Sequence, residues 1–380
     1  MANLFSNVEE MAYRPRPAPG FIPRRIVLAK GSRTTPDRRR FADAICAAYP
    51  DAEVLHQPHV PHNRVDLGEA ELLAALRRGK QTLVLGEHRS AVRESREDSN
   101  TCPNYWHFSP YGFCPYGCHY CYLAGTPGVR FSPTVKVFVN LTEILDRVDR
   151  VAARLAEPTA FYLGKLQDGL ALDPLTGYSR ALVPFFATHP YARMTLLTKS
   201  ADVDNLLDLD HRGHTILSWS LNPAEAVRAF EAHTPSLDAR IGAMKQCAVA
   251  GYPVRAVVMP IIPVNGWQAA YETFLRRLLA EVPLDRITLG GICSYPTARG
   301  LLERRLGRDN AISRALDPRG PSADGRLRYP SARRTELYGR LIRTIRACAP
   351  ALDIGLCLEE ERVFHALGLT AAIGRCNCVL

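Results

Sequence analysis

The sequence predicts an α/β fold, a partial (β/α)6 barrel with a small N-terminal α/β lobe and a C-terminal extension. Strand-like apolar runs recur at about Ala160–Leu163, Met194–Thr198, Ile216–Ser220, Val254–Met259 and Arg286–Ile292. Each is followed by a helix-like or irregular connection, the order that builds a parallel sheet. A separate βαβαβ-like run precedes this series between residues 24 and 100. With 380 residues, one barrel with arms buries a substantial core. The sheet is expected to be parallel and open on one side.

Residues 1–23 are proline-rich without periodicity and read as an irregular arm. The lobe, 24–100, opens with a buried strand at Arg25–Ala29 and a helix from Asp37 to Tyr49 with Phe41, Ile45 and Ala48 on one face. Strand-like Ala52–Leu55 and Gln81–Leu85 flank a helical Glu69–Arg78. No glycine fingerprint follows the first strand, so the lobe is not read as a nucleotide site. The barrel, 101–297, begins near Asn104–Phe108. Thr134–Asn140 is extended, and Leu141–Leu155 is an amphipathic helix whose stripe Leu141, Ile144, Leu145, Val148, Val151 and Leu155 is core. The remainder, 298–380, holds a basic excursion and a helical extension containing cysteines.

A formal charge of +10 suits a polyanionic partner, although arginine-rich composition also arises without one. No apolar stretch approaches membrane-spanning length, and a start with Glu9 and Glu10 is not a signal peptide. Eleven cysteines in an unsecreted chain point to reduced thiols and metal ligation. A cytoplasmic monomer is expected.

The chemistry centres on Cys114-Pro-Tyr-Gly-Cys118-His-Tyr-Cys121-Tyr122. Three thiolates at this spacing fold round one corner of a cubane iron–sulfur cluster, leaving the fourth iron open. Pro115 and Gly117 let the loop turn back on itself. The alternative is structural zinc on the three cysteines and His119, although zinc ligands usually come as two separated pairs.

Cys-x-x-x-Cys-x-x-Cys is the cluster signature of the radical S-adenosylmethionine (SAM) superfamily. Tyr120 and Tyr122, Thr198-Lys199, Ser220-Leu221-Asn222, Ser236-Leu237-Asp238-Ala239-Arg240-Ile241, Ala250-Gly251-Tyr252-Pro253 and Gly266-Trp267 follow in register. In this order they resemble the spore photoproduct lyases, from about Arg24 to about Thr297. The resemblance implies a radical SAM barrel, a [4Fe-4S] cluster on Cys114, Cys118 and Cys121, and SAM on the open iron. One-electron reduction would then release a 5′-deoxyadenosyl radical, with a flavodoxin- or ferredoxin-type electron donor and a thymine-dimer substrate in DNA. It assigns Lys199 to the SAM carboxylate, Ser220 and Asn222 to positions facing SAM, Tyr120 to the cofactor pocket and Tyr122 to the radical relay. Met259, with Pro260, suits an apolar wall near adenine.

The chain also departs from that pattern. The lyase's hydrogen-donor cysteine is absent from Phe161-Tyr162-Leu163-Gly164-Lys165-Leu166-Gln167-Asp168. Cys293, expected at the carboxyl end of the last barrel strand, is a candidate replacement, or else a buried apolar cysteine. Cys357, Cys376 and Cys378 either bind a second metal or cluster or lie over the active site, with Cys348 or Cys102 as a fourth ligand. Arg299, Arg304, Arg326 and Arg328 belong to the basic excursion, and a turn at Ser322-Ala323-Asp324-Gly325 would tip a hairpin. They are candidate phosphate contacts or a solvated basic face.

The sequence therefore points to a radical SAM enzyme of lyase type that abstracts hydrogen from a DNA photolesion or other nucleic-acid base. The alternatives are a radical SAM enzyme on a small molecule or peptide, and a nucleic-acid-binding relative that has lost catalysis.

Overall fold

The computed structural model describes residues 13–96 and 100–380. The first twelve residues of the arm lie outside the described residues. From Tyr13 the arm is irregular but packed, with Ala18 and Phe21 buried.

The lobe supplies β1 (Arg25–Leu28), β2 (Glu53–His56) and β3 (Thr82–Gly86). Around the cysteine loop lie β4 (Val92–Ser95), β5 (Tyr105–Phe108), β6 (Tyr111–Gly112), β7 (Gly117–Cys118) and β8 (Val135–Phe138). The barrel series follows as β9 (Thr159–Leu163), β10 (Ala192–Thr198), β11 (Thr215–Ser220), β12 (Glu231–Ala232), β13 (Val254–Val258) and β14 (Arg286–Leu289). Last come β15 (Cys293–Ser294), β16 (Leu327–Arg328) and β17 (Asp353–Leu356).

Two large sheets result. The barrel sheet runs β17-β14-β13-β11-β10-β9-β5-β4, parallel throughout except for antiparallel β4 at its edge. The lobe sheet runs β2-β1-β3-β8-β6. Strands from the 101–297 stretch thus serve both sheets: β8 pairs in parallel with β3, while β4, from the 24–100 stretch, joins the barrel sheet. The reason lies in β8, Val-Lys-Val-Phe, which is buried throughout. It is flanked by β3 and β6, and its one polar side chain, Lys136, is satisfied by the Ser132 and Thr134 carbonyls.

The helix Leu141–Leu155 buries Leu141, Ile144, Leu145, Val148 and Val151, the stripe read from its spacing. Each such side chain contributes about 1.5–3 kcal/mol relative to exposure.

Two expectations need correction. Cys293 does not end a barrel strand, because β14 stops at Leu289 and Gly290-Gly291 breaks the run. Cys293 then pairs antiparallel with Arg328 in a two-stranded ribbon of its own. In the basic excursion, helices form at Pro296–Leu306 and Ala311–Ala315. The Ser322–Gly325 turn is present, with Gly325 N donating to Ser322 O, but the partner of β16 is β15.

Candidate active site

The cysteine loop is fixed from two sides. On the barrel side, β7 pairs with β12, bringing Cys118 opposite Glu231 and Gly117 opposite Ala232, while His119 N donates to Phe230 O at 2.8 Å. Gly117 lets the two strands come close here: a Cβ would meet the Ala232 carbonyl at 3.1 Å and the His233 ring at 3.0 Å, tighter than an ordinary contact.

From the lobe, Lys80, which caps the helix Leu72–Gly79, donates through Nζ to the Cys114 and Tyr116 carbonyls, the latter at 2.7 Å. The ammonium lies 3.7 Å from the Phe113 ring centroid and within electrostatic reach of all three cysteines. Burial lowers its pKa, and the three sulfurs work against that.

Beside the loop lies a closed polar network. Asp168 accepts from Thr198 Oγ1 at 2.6 Å and from Lys199 N at 2.7 Å. Lys199 Nζ then reaches Ser220 Oγ at 2.7 Å, and Ser220 Oγ reaches the Met259 carbonyl at 3.4 Å. Glu231 accepts from Tyr120 OH and from Asn222 Nδ2 at 3.2 Å, and Asn222 Oδ1 accepts from Tyr271 OH at 2.7 Å. Arg240 joins the Glu231 carboxylate at 2.6 Å and donates to the Ser220 carbonyl at 3.0 Å.

Burial works against the Glu231 charge. Lys199 and Arg240, with the hydrogen bonds from Tyr120 and Arg240, outweigh it and hold the carboxyl below its usual range. Cys118 is pushed up to about 12 by burial, against the pull of Lys199. Arg305 is near enough for Cys121 to act on it.

This arrangement suits a cubane on three thiolates. Its thiolates attach to different irons, and the buried Cys114 and Cys118 thiols each feel the charge of the other cysteines of the loop. Lys80, Lys199, Arg240 and Arg305 supply compensating positive charge. His119, the extra ligand of the zinc alternative, senses Arg305 and His233, and its buried Nδ1 has no hydrogen-bond partner. SAM's carboxylate and ammonium would find Lys199 and the Asn222–Glu231 side respectively.

Tyr120, Lys199, Ser220, Asn222 and Met259 are therefore brought together beside Cys118. Tyr122 opens the short 3-10 turn Tyr122–Gly125, is partly exposed, and donates from its hydroxyl to the Lys165 carbonyl at 2.7 Å. Cys293, on β15, belongs to a ribbon that packs against the Tyr122–Gly125 turn, and its neighbours Ile292 and Ser294 line a small pocket with Tyr120. Arg326 Nη1 approaches its sulfur at 4.0 Å, and burial pushes the thiol up to about 11 against the Arg328 and Arg326 charges.

The four arginines do not form one open basic face. Arg299 pairs with Glu303, Arg304 with Glu71, and Arg328 is buried in a two-pronged pair with Asp324 at 2.5 and 2.8 Å. Arg326 faces Asp324 at 3.9 Å.

Sequence reading missed Asp168, Glu231, Arg240 and Lys80. The signal for Arg240 was in the Ser236–Ile241 motif, where Ser236 caps a helix by accepting from Ala239 N and so sets Arg240 on its first turn.

A parallel partial barrel with this three-cysteine loop locked beside the Lys199–Glu231 network defines a radical SAM-type protein. The family model described as spore photoproduct lyase matches residues 35–289, and the chain belongs to that family. It is 33% identical over 227 residues to the spore photoproduct lyase of Bacillus subtilis (strain 168), covering 59% of this chain and 64% of that one. Against the Geobacillus sp. (strain Y412MC61) spore photoproduct lyase it is 36% identical over 234 residues, covering 60% and 66%. The matches therefore span just under two thirds of these relatives' lengths. A solved spore photoproduct lyase complexed with dinucleoside spore photoproduct aligns at TM-score 0.77 and 25% identity, covering 89% of this chain and all of that one.

Proposed function

We propose that this chain is a radical SAM enzyme of lyase type, acting on a DNA photolesion or another nucleic-acid base. The observation that carries the reading is the pairing of Cys118 with Glu231, which couples the cysteine loop to the Lys199, Ser220 and Asn222 pocket. Cys114, Cys118 and Cys121 would hold a [4Fe-4S] cluster and the pocket would hold SAM. When bound, the two supply one-electron reductive cleavage of SAM to a 5′-deoxyadenosyl radical, which abstracts substrate hydrogen.

Lys199 meets the SAM carboxylate as a charge-assisted partner. Asp168 orients it through its backbone amide, and Met259 walls the adenine side. Tyr122 and Cys293 serve as the hydrogen relay in this reading, since an S–H bond is weak enough to quench a carbon radical and Lys165 offers no such bond. A flavodoxin- or ferredoxin-type donor supplies the electron, and the protein works as a cytoplasmic monomer. Among the described residues no helix is long and apolar enough to cross a membrane.

A second reading, a small-molecule or peptide substrate, is favoured by the arginines of 298–330. Arg299, Arg304 and Arg328 are spent on Glu303, Glu71 and Asp324 and leave less charge for phosphates than the composition suggests.

Release of 5′-deoxyadenosine after anaerobic reconstitution and reduction tests the radical chemistry. Its absence in a fully iron-loaded sample would overturn the reading. Mass analysis of ultraviolet-irradiated DNA after incubation separates the two substrates, with loss of the dimer expected for the first.

A further inference from the structure

The helix Leu72–Gly79 stands between two environments. Leu72, Leu73 and Leu76 turn toward the cysteine loop, where Leu76 is buried with Phe113, Leu123 and Ala124, and Cys121 packs against the same cluster. Lys80, one turn beyond Leu76, continues that face and reaches the Cys114 and Tyr116 carbonyls. Ala74, Arg77 and Arg78 fall on the other face, at the i, i+3 and i+4 spacing that sets side chains beside one another. They line a cavity of about 420 Å³. One helix therefore separates this cavity from the loop.

The amino ends of the lobe strands build the rest of the cavity. Arg25 stands in register with Glu53 on β2 and Thr82 on β3, and the Gln81 carbonyl accepts from the Arg24 and Arg25 amides at 2.8 and 3.2 Å. With Glu69 these residues complete the lining. Arg24, Arg25, Arg77 and Arg78 thus stand against Glu53 and Glu69, an excess of positive charge. Arg25 pairs with Glu53 at 3.1 Å and Arg78 with Glu69 at 2.9 Å. Arg24 and Arg77 are exposed, and among the described residues neither side chain has a hydrogen-bond or ion-pair partner.

This charge lies on the opposite side of the loop from the SAM pocket. Lys199, Ser220 and Asn222 meet the loop from the barrel side through the β7–β12 pairing, whereas the cavity stands behind Lys80 on the lobe side. A substrate that gives hydrogen to a radical formed from SAM belongs on the barrel side. What the lobe side can serve is delivery of the electron. Glu53 and Glu69 favour a partner surface of carboxylates with a cation or two among them over a nucleic-acid backbone, which carries phosphates alone.

We propose that the arginine-lined cavity of the lobe docks an acidic one-electron donor protein, whose carboxylates meet Arg24 and Arg77. The inference rests on the radical SAM reading. In the docked pair the partner gives up one electron and is oxidised, the iron–sulfur cluster held by the loop takes that electron and is reduced, and no bond forms or breaks. Charge pairing of this kind steers encounter and fixes orientation. Here it brings the donor to a helix whose other face packs with Cys121.

The test uses the full chain with its loop iron-loaded and, as probe, a reduced flavodoxin of net negative charge. Arg24→Glu combined with Arg77→Glu should bind it at least about tenfold more weakly than the parent. Parent affinity should also fall as salt rises from about 50 to about 500 mM, which shortens the screening length roughly threefold. Reduction of the iron–sulfur absorbance by flavodoxin should slow by a similar factor, while dithionite should reduce parent and variant alike. The same charge change placed outside the lobe, at exposed Arg212 and Arg362, should leave flavodoxin binding near the parent's. Equal affinities in parent and the Arg24/Arg77 variant, an equal loss in the Arg212/Arg362 variant, or an affinity that salt does not change overturns the docking face. So does an Arg24/Arg77 variant that binds flavodoxin normally and has lost affinity for ultraviolet-irradiated DNA. Failure of the parent to release 5′-deoxyadenosine under dithionite would instead count against the radical reading, and the flavodoxin affinities would still decide the docking.

Discussion

Glu231 and Arg240 form an ion pair at 2.6 Å with both side chains sealed from solvent. Glu231 is also the register partner of Cys118, so the pair holds both the cysteine loop and the polar pocket. Breaking a buried pair from one side leaves a bare charge and costs about 3–5 kcal/mol, whereas replacing both partners costs far less. Arg240→Met should therefore lower unfolding free energy in urea by about that amount, and Glu231→Gln combined with it should recover most of the loss. A single-variant loss below about 1 kcal/mol would show that the pair is not structurally decisive.

Lys80 brings a positive charge from the lobe to the three thiols and ties down the Cys114 and Tyr116 carbonyls. Removing the charge makes addition of an electron to a bound cluster less favourable. Lys80→Met should lower the cluster's reduction potential by on the order of 50 mV, about 1 kcal/mol for one electron. A redox titration followed by electron paramagnetic resonance reads it. An unchanged potential would reduce Lys80 to a loop anchor.

The legible part of the fold was its periodicity. The Leu141–Leu155 stripe and the βα order follow from spacing alone, because burial on one face imposes the period. Strand partners did not follow: β8 reads the same whether it joins the lobe or the barrel. Cys293 was misplaced because alternation was continued through Gly290-Gly291, where the strand stops. The cysteine loop and Lys199 were readable from local spacing and resemblance. Asp168 and Lys80 were not, since they act through partners 30 or more residues away, Thr198 and Cys114, and Glu231 meets Tyr120 and Cys118 only through the fold. The tail cysteines Cys357, Cys376 and Cys378 are legible as a group, whereas the approach of Cys102 to Leu358, across 256 residues, is tertiary.

Lys136 on β8 is buried, with Nζ donating to the Ser132 and Thr134 carbonyls at 2.8 and 2.9 Å. Burial lowers its pKa to about 7, against roughly 10.4 in an unfolded chain. The unfolded state therefore binds more protons between those values, and this group adds stability as pH rises from 7 toward 10. The buried thiols, raised by burial, act in the opposite sense above pH 8, so the comparison is parent against Lys136→Met. Relative to that variant, the parent should gain on the order of 2 kcal/mol between pH 7 and pH 9. Parallel pH dependences in urea unfolding would show that Lys136 does not titrate in that window.

Lys199 is placed by two independent restraints: its amide is held by Asp168 at 2.7 Å, and its ammonium meets Ser220 Oγ at 2.7 Å, beyond the Tyr120 ring. Neither involves the backbone of the cysteine loop, which is anchored by β12 and Lys80. Loss of the Lys199 charge should consequently spare cluster assembly and fall on SAM. A charge-assisted hydrogen bond contributes about 1.5–3 kcal/mol, so Lys199→Ala should weaken SAM binding roughly 10- to 100-fold. Iron content per chain should match the parent. Lys199→Arg should restore little, because the planar guanidinium does not occupy the space of a compact ammonium at Ser220. Equilibrium dialysis of SAM against iron-loaded parent and variants measures the effect, and equal affinities would remove Lys199 from the pocket.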